Sequence, residues 1–284
     1  MRWKGRQTSS NVEDRRGNTG RKVGGTIGVG TIIFFIAYTL LTGEAPTEML
    51  QQTQPQTQQT QGTAHDRNDE LAEFAKVVFK DTEDVWDKIF KEQLQARYRY
   101  PKLVLYSGST PAACGMASAA TGPFYCPADQ KVYIDLDFFR DLKRKFGASG
   151  DFAMAYIIAH EVGHHVQNLL GITDQVQSQR RRLSRADYNR LSVRLELQAD
   201  YFAGVWAHHI EKMKHVLDQG DIQEAQNAAA SVGDDRLQKK YTGRVVPDAF
   251  THGTSEQRAR WFLKGFKTGD IRQGDTFRVS YQNL

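Results

Sequence analysis

The segment Ala155-Tyr-Ile-Ile-Ala-His160-Glu161-Val-Gly-His164-His165-Val-Gln167 constrains this chain more than any other. A run this apolar belongs in a core, yet it carries His160, Glu161 and His164, which need partners once buried. On an α-helix four residues advance about 400°, so His160 and His164 share one face, one turn apart. Two imidazoles so placed can hold a single zinc ion. Glu161 stands roughly 60° to 100° round the helix from them, too far for a natural third ligand and near enough to take a proton from a metal-polarised water. With 8 histidines in 284 residues, only roughly 0.01 chance matches to His-Glu-x-x-His are expected.

A hydrolytic zinc site needs a third protein ligand and a fourth position open to water. The extended pattern HExxHxxGxxH would supply a third histidine, but Gln167 and Leu170 stand in its Gly and His slots. Leu195-Glu196-Leu-Gln-Ala-Asp200 offers another route, 32 residues after His164. Glu196 can complete the trio, and Asp200, on the same helical face, can accept a hydrogen bond from the distal N–H of a ligating histidine and fix its tautomer. His252, just before a helix start, is the candidate donor to a tetrahedral oxyanion, with Tyr241 as a rival. His165, His208 and His209 lie off these faces and read as packing or surface residues.

From Val23 to Leu41 run 19 residues without a charge, which as a helix would span roughly 28 Å, about one bilayer core. Seven basic and two acidic residues precede it in 1–22, so that tail carries the whole net charge of +5 and the remainder balances at 31 against 31. A neutral body lacks the field that polynucleotide binding needs, so a nucleic-acid partner is excluded. Positive flanks stay in the cytoplasm, which predicts a basic cytoplasmic tail (1–22), a transmembrane helix (23–42) and a body on the extracytoplasmic side of the plasma membrane. The run is longer than the apolar core of a cleaved signal peptide, which favours an uncleaved single-pass anchor. Residues 51–63 are almost pure Gln and Thr, so 43–68 reads as a disordered linker and folding is expected to begin near Asp69.

In 69–284, Leu71, Phe74, Val78, Val85 and Ile89 step at helical spacing over 69–97. Short strands are expected at 102–106, around 115–120, and at 131–135, the last at the sheet edge beside the metal, where it could take up an extended peptide. Helices are expected at 136–146, 151–170, 184–212, 221–231 and 254–267, the last opened by the capping-box pair Thr254 and Gln257. In an oxidising compartment Cys114 and Cys126, the chain's two cysteines, are expected to form a disulfide. The fold class is α+β, mainly helical with a small sheet. No Gly-x-Ser-x-Gly or P-loop pattern is present to support a serine hydrolase or a nucleotide enzyme.

His160-Glu-Val-Gly-His-His-Val-Gln167, the Glu196 to Asp200 pattern, Cys114-Gly-Met-Ala117 with Gly122-Pro-Phe-Tyr-Cys-Pro127, and Thr251-His-Gly-Thr-Ser-Glu-Gln-Arg258 resemble the bacterial neutral zinc metallopeptidase family of YpfJ-like proteins. The resemblance extends to the opening Met-Arg-Trp. It implies a zincin-type fold and a zinc-dependent peptidase, with His160, His164 and Glu196 as ligands and Glu161 as catalytic residue, acting on a peptide or protein. It implies no defined substrate, cleavage preference or oligomeric state. The competing class is a non-catalytic, zinc-stabilised scaffold of the cell envelope, which would keep the ligands and dispense with Glu161.

Overall fold

The computed structural model describes residues 1–16, 63–118, 121–139, 142 and 150–284. The expected transmembrane helix lies outside these residues, as do the anchor-proximal end of the tail and most of the linker. Among the described residues no helix is long and apolar enough to cross a membrane.

The architecture is mainly helical with a small sheet. Its strands are β1 (Val12–Asp14), β2 (Lys102–Tyr106), β3 (Ser109–Ala112), β4 (Gly115–Ser118), β5 (Phe124–Cys126) and β6 (Lys131–Asp135). Its α-helices are α1 (Thr63–Gln93), α2 (Asp151–Leu169), α3 (Ile172–Ser178), α4 (Arg185–Lys214), α5 (Asp221–Ser231), α6 (Asp234–Thr242) and α7 (Ser255–Thr268). The four-stranded sheet runs β1-β2-β6-β5, with β1, β2 and β6 parallel and β5 antiparallel to β6; β3 and β4 form a separate hairpin.

Alternation along β2 and β6 gives this sheet two covered faces. Leu103, Leu105, Val132 and Ile134 point into the helical core, whereas Val104, Tyr106 and Tyr133 join Ala117 and Cys126 in a smaller cluster. Burial on both faces explains why Leu103-Val-Leu-Tyr106 is continuously apolar rather than alternating. The Cys114–Cys126 disulfide, with Cα atoms 5.8 Å apart, fastens the β3–β4 turn to the end of β5, as the sequence predicts. A closed loop of this size stabilises by roughly 3 kcal/mol in the chain-entropy picture.

Two expectations are corrected. The strand at 131–135 is not the edge: the turn at 127–130 folds β5 back along it, pairing Phe124 with Tyr133 and Cys126 with Lys131, so β5 is the edge strand on that side. The three residues of β5 between Gly122-Pro123 and Pro127 are too few to show periodicity in sequence. The tail does not stand apart from the body either. Residues 12–14 pair with Leu103, Val104 and Leu105, and Trp3 packs edge-on against Phe74 with ring centroids 5.5 Å apart. Folding thus includes residues 1–16 as well as the body, because the basic residues of this tail find carboxylates there.

The helices that carry the candidate site cross at small residues. A Cβ on Gly163 of α2 would come within 3.0 Å of the Ala199 carbonyl oxygen of α4. On the other side of α4, a Cβ on Gly204 would lie 2.0 Å from the Phe262 carbonyl oxygen of α7, and one on Gly265 would lie 2.0 Å from that of Tyr201. Backbone contact of this kind brings α4 against both neighbours. Ser184 caps α4 by accepting from the Asp187 amide, and Thr254 with Gln257 forms the expected capping box of α7.

Candidate metal centre

Helix α2 supplies His160, Glu161 and His164, and α4 supplies Glu196 opposite them. His160 Nε2 lies 3.3 Å from one Glu196 oxygen, and His164 Nε2 lies 3.4 Å from the other. Donors about 2.0–2.1 Å from a tetrahedral zinc ion stand roughly 3.3–3.4 Å from one another. Both nitrogen-to-oxygen separations match that length, though they reach different Glu196 oxygens, and one ligand atom from each residue falls within 4.8 Å of the others.

Both rings are turned so that Nε2 faces the carboxylate. His160 Nδ1 lies 2.8 Å from Asp200 Oδ1, the role the sequence assigns to Asp200. His164 Nδ1 donates to Gln167 Oε1 at 2.8 Å, and the Gln167 amide in turn donates to the Leu195 carbonyl at 2.6 Å and to Gln198 Oε1 at 3.1 Å. Gln167 thus ties the orientation of His164 to the helix that carries Glu196. Such outer contacts fix tautomer and ring plane, which metal affinity depends on.

Asp200 is fully buried, and Arg258 of α7 grips it with Nε to one oxygen at 2.8 Å and Nη2 to the other at 2.9 Å. Tyr156 donates its hydroxyl to Asp200, and Arg258 Nη2 also reaches Tyr156 Oη at 3.3 Å. Burial opposes ionisation of Asp200, but Arg258 and His160 hold its carboxyl below the usual value. Glu196 is likewise pushed up by burial, yet His164 and His252 bring it well below the ordinary carboxylate range. Burial lowers His160 and His164, while Asp200 and Glu196 raise His160 to about 10, and Glu196 raises His164. A field that favours protons on these rings equally favours a metal cation between them.

A cavity of about 470 Å³ opens over the trio. Glu161 and His252 both line it, and Phe124, Tyr125, Phe138 and Ile157 give it an apolar wall. His252 is held by Asp234, the first residue of α6. One oxygen of Asp234 accepts the backbone amides of Thr251, His252 and Gly253 at 2.7, 2.6 and 3.1 Å. The other oxygen lies 3.3 Å from His252 Nδ1. With Nδ1 so engaged, Nε2 is the nitrogen left for a ligand. Burial lowers the pKa of His252, but Asp234 and Glu196 outweigh it and raise it overall. Tyr241 does not line this cavity.

His165 has no part in the trio. It is fully buried, its Nδ1 is 3.0 Å from Tyr125 Oη and its Nε2 is 2.6 Å from the Arg99 carbonyl, so it fastens β5 to α2. Burial holds it neutral, with its pKa lowered to about 4. His208 and His209 bond the Phe266 and Gly269 carbonyls near the end of α7.

The chain matches the family model described as "Putative neutral zinc metallopeptidase" over residues 1–277. It is 50% identical over 289 aligned positions to the uncharacterized protein YpfJ of Escherichia coli K12, covering 99% of this chain and all of that one. It is 44% identical over 204 positions to the uncharacterized protein Mb2605 of Mycobacterium bovis, covering 68% of each. The uncharacterized protein Rv2575 of Mycobacterium tuberculosis H37Rv matches to the same extent. No solved structure matches. The chain belongs to the neutral zinc metallopeptidase family.

Proposed function

We propose that this protein is a membrane-attached zinc peptidase in which His160, His164 and Glu196 hold the metal and Glu161 is the general base. The observation that carries the reading is the pair of 3.3 and 3.4 Å separations between the histidine Nε2 atoms and the two Glu196 oxygens, with both Nδ1 atoms engaged behind them. Zinc at such a trio supplies Lewis acidity that polarises a carbonyl and makes water acidic near neutral pH. Glu161 takes the proton of the attacking water and delivers it to the leaving amine. His252, charged and oriented by Asp234, donates from Nε2 to the oxygen on which negative charge develops. The free edge of β5 borders the same cavity through Phe124 and Tyr125, and an extended peptide adding there would pass over the trio with an apolar side chain against that wall. Membrane attachment rests on the uncharged run 23–41, and an oxidising, extracytoplasmic location of the body rests on the Cys114–Cys126 disulfide.

The test replaces Glu161 with Gln in the full-length protein and measures bound zinc and peptide hydrolysis together. The expected result is unchanged zinc and a hydrolysis rate lower by roughly 10²–10⁴-fold. Hydrolysis equal to the wild type with zinc still bound removes Glu161 from its role. Chelator-sensitive structure without any hydrolysis in the wild type favours the scaffold reading instead. His252→Ala is expected to lower kcat by about 10²–10³-fold with little change in zinc content.

A further inference from the structure

The amino-terminal segment is held at several places on the body. Backbone bonds join β1 to β2, with the Leu103 amide donating to the Asn11 carbonyl at 2.9 Å and the Arg15 amide to the Leu105 carbonyl at 2.8 Å. Against α1, the Ser9 amide donates to the Lys76 carbonyl at 3.0 Å, Arg6 pairs with the buried Asp81, and Ser9 and Asn11 both donate to Glu83, at 2.6 and 2.8 Å. Towards β6, Lys131 Nζ donates to both Glu13 oxygens at 2.8 and 3.0 Å. At the far end the Arg2 amide donates to the Val216 carbonyl at 2.7 Å. Arg16 then closes the segment, with Nη1 3.2 Å from Asp69 Oδ1 at the start of the body. The described chain thus breaks off at Arg16, beside the first turns of α1, which begins at Thr63.

We propose that residues 1–16 and the metal domain occupy the same side of the membrane, so that the uncharged run 23–41 does not part them. A chain that leaves and returns to one side crosses an even number of times. One crossing takes about 20 apolar residues, and the run has 19 between charged or Gln- and Thr-rich flanks. Two crossings do not fit, and a single crossing would strip β1 from the sheet. It would also leave Asp81 and Glu83, which are 1% and 4% exposed, without the Arg6, Ser9 and Asn11 contacts. The charge bias of the flanks predicts the opposite placement, with the tail in the cytoplasm and the body outside. Charge bias is a statistical preference of insertion, whereas strand pairing is a contact the folded chain must keep. The proposal is independent of the catalytic reading.

The test uses the full chain in its native membrane. The only two cysteines are paired with each other, so thiol reagents read introduced positions alone. Ser10→Cys and Ser178→Cys, both at exposed residues, are made separately and labelled in spheroplasts with a membrane-impermeant maleimide. Both labelled, or both labelled only after lysis, is the expected pattern; the second result also moves the body to the cytoplasmic face while leaving the zinc site untouched. Labelling of Ser178→Cys alone overturns the proposal. In parallel, Arg16→Cys with Asp69→Cys is treated with a short, permeant bismaleimide, in a chain carrying a protease site in the Gln/Thr tract. Retention of the amino-terminal fragment on the body after cleavage supports the proposal, and its release overturns it.

Discussion

Among the described residues, two groups of side chains that include residues of α2 could hold a metal by proximity alone. Near its first residue, Asp151 meets Asp221 and Glu224; on its later turns, His160 and His164 meet Glu196. Their surroundings differ. In the first group burial pushes Asp221 and Glu224 up, towards holding protons, and the positive charge present is the Met1 ammonium, 2.6 Å from Asp151 and 3.3 Å from Asp221. In the second, Glu196 is held well below its ordinary value, and the contacts of Asp200 and Gln167 with the imidazole Nδ1 atoms leave both Nε2 atoms beside the Glu196 carboxylate. What marks the second group as the candidate metal centre is the layer of contacts behind its side chains, which fixes orientation and keeps the carboxylates ionised.

The sharpest way to break this comparison is metal analysis of variants from each group. His160→Ala or Glu196→Ala is expected to lose bound zinc, expected at about one per chain in the wild type, and all hydrolysis with it. Asp221→Asn is expected to keep both. Zinc lost from Asp221→Asn, or retained by Glu196→Ala, would reverse the assignment. A smaller effect is expected at the contacts behind the ligands. Asp200→Asn keeps the shape but puts an amide where His160 Nδ1–H needs an acceptor and removes the charge that Arg258 pairs with. Zinc affinity should fall by about 10–100-fold, measured by competition with a calibrated chelator.

How much of this was legible in sequence follows the same division. His160, Glu161, His164, Glu196 and Asp200 are five residues on two helices; helical geometry gives His160 and His164 one face and Glu196 and Asp200 another, and packing of the helices brings those faces together. Strands at 102–106 and 131–135 and the capping box of α7 were likewise readable, because local pattern dictates them. Arg258, Tyr156 and Asp234 were not singled out. Each acts through a partner 18 to 102 positions away, and nothing local in Asp234-Asp-Arg marks a side chain that gathers three amides. Gln167 was visible as the residue in the Gly slot of the extended motif, not through its bond to His164. The edge position of β5 and the docking of β1 depend on pairings that three-residue strands do not announce. At the tail, seven basic residues before an apolar run read as a topology signal, and Arg6, Arg15 and Arg16 are also fold contacts.

A third effect tests how the two site-bearing helices are held together. Gly204→Ala places a methyl 2.0 Å from the Phe262 carbonyl oxygen, a backbone atom that cannot swing aside. A loss of about 1–3 kcal/mol is expected from such overpacking, read as a lower denaturation midpoint. Gly163→Ala meets backbone at 3.0 Å, so a shift of a few tenths of an ångström accommodates it and its cost should be smaller. Equal destabilisation by the two substitutions would mean that α2 and α4 are as rigidly apposed as α4 and α7.

The smallest expected effect is electrostatic and belongs to the tail. Hydrogen bonds from Lys131 and then Arg15 lower Glu13 from 4.5 to about 2. A carboxyl whose pKa is depressed in the folded state stabilises fully above its unfolded value and loses that contribution as pH falls through the folded one. The contribution of Glu13 is therefore complete above about pH 4.5 and fades towards pH 2. Solvent screens this partly exposed group, so the shift in melting temperature should be small. The measurement compares wild type with Glu13→Gln across that range: the wild type should be the more stable at pH 5 and the two should converge near pH 2. Curves that stay parallel would show that the backbone pairing of β1 with β2, not the Glu13–Lys131 pair, holds the tail to the sheet.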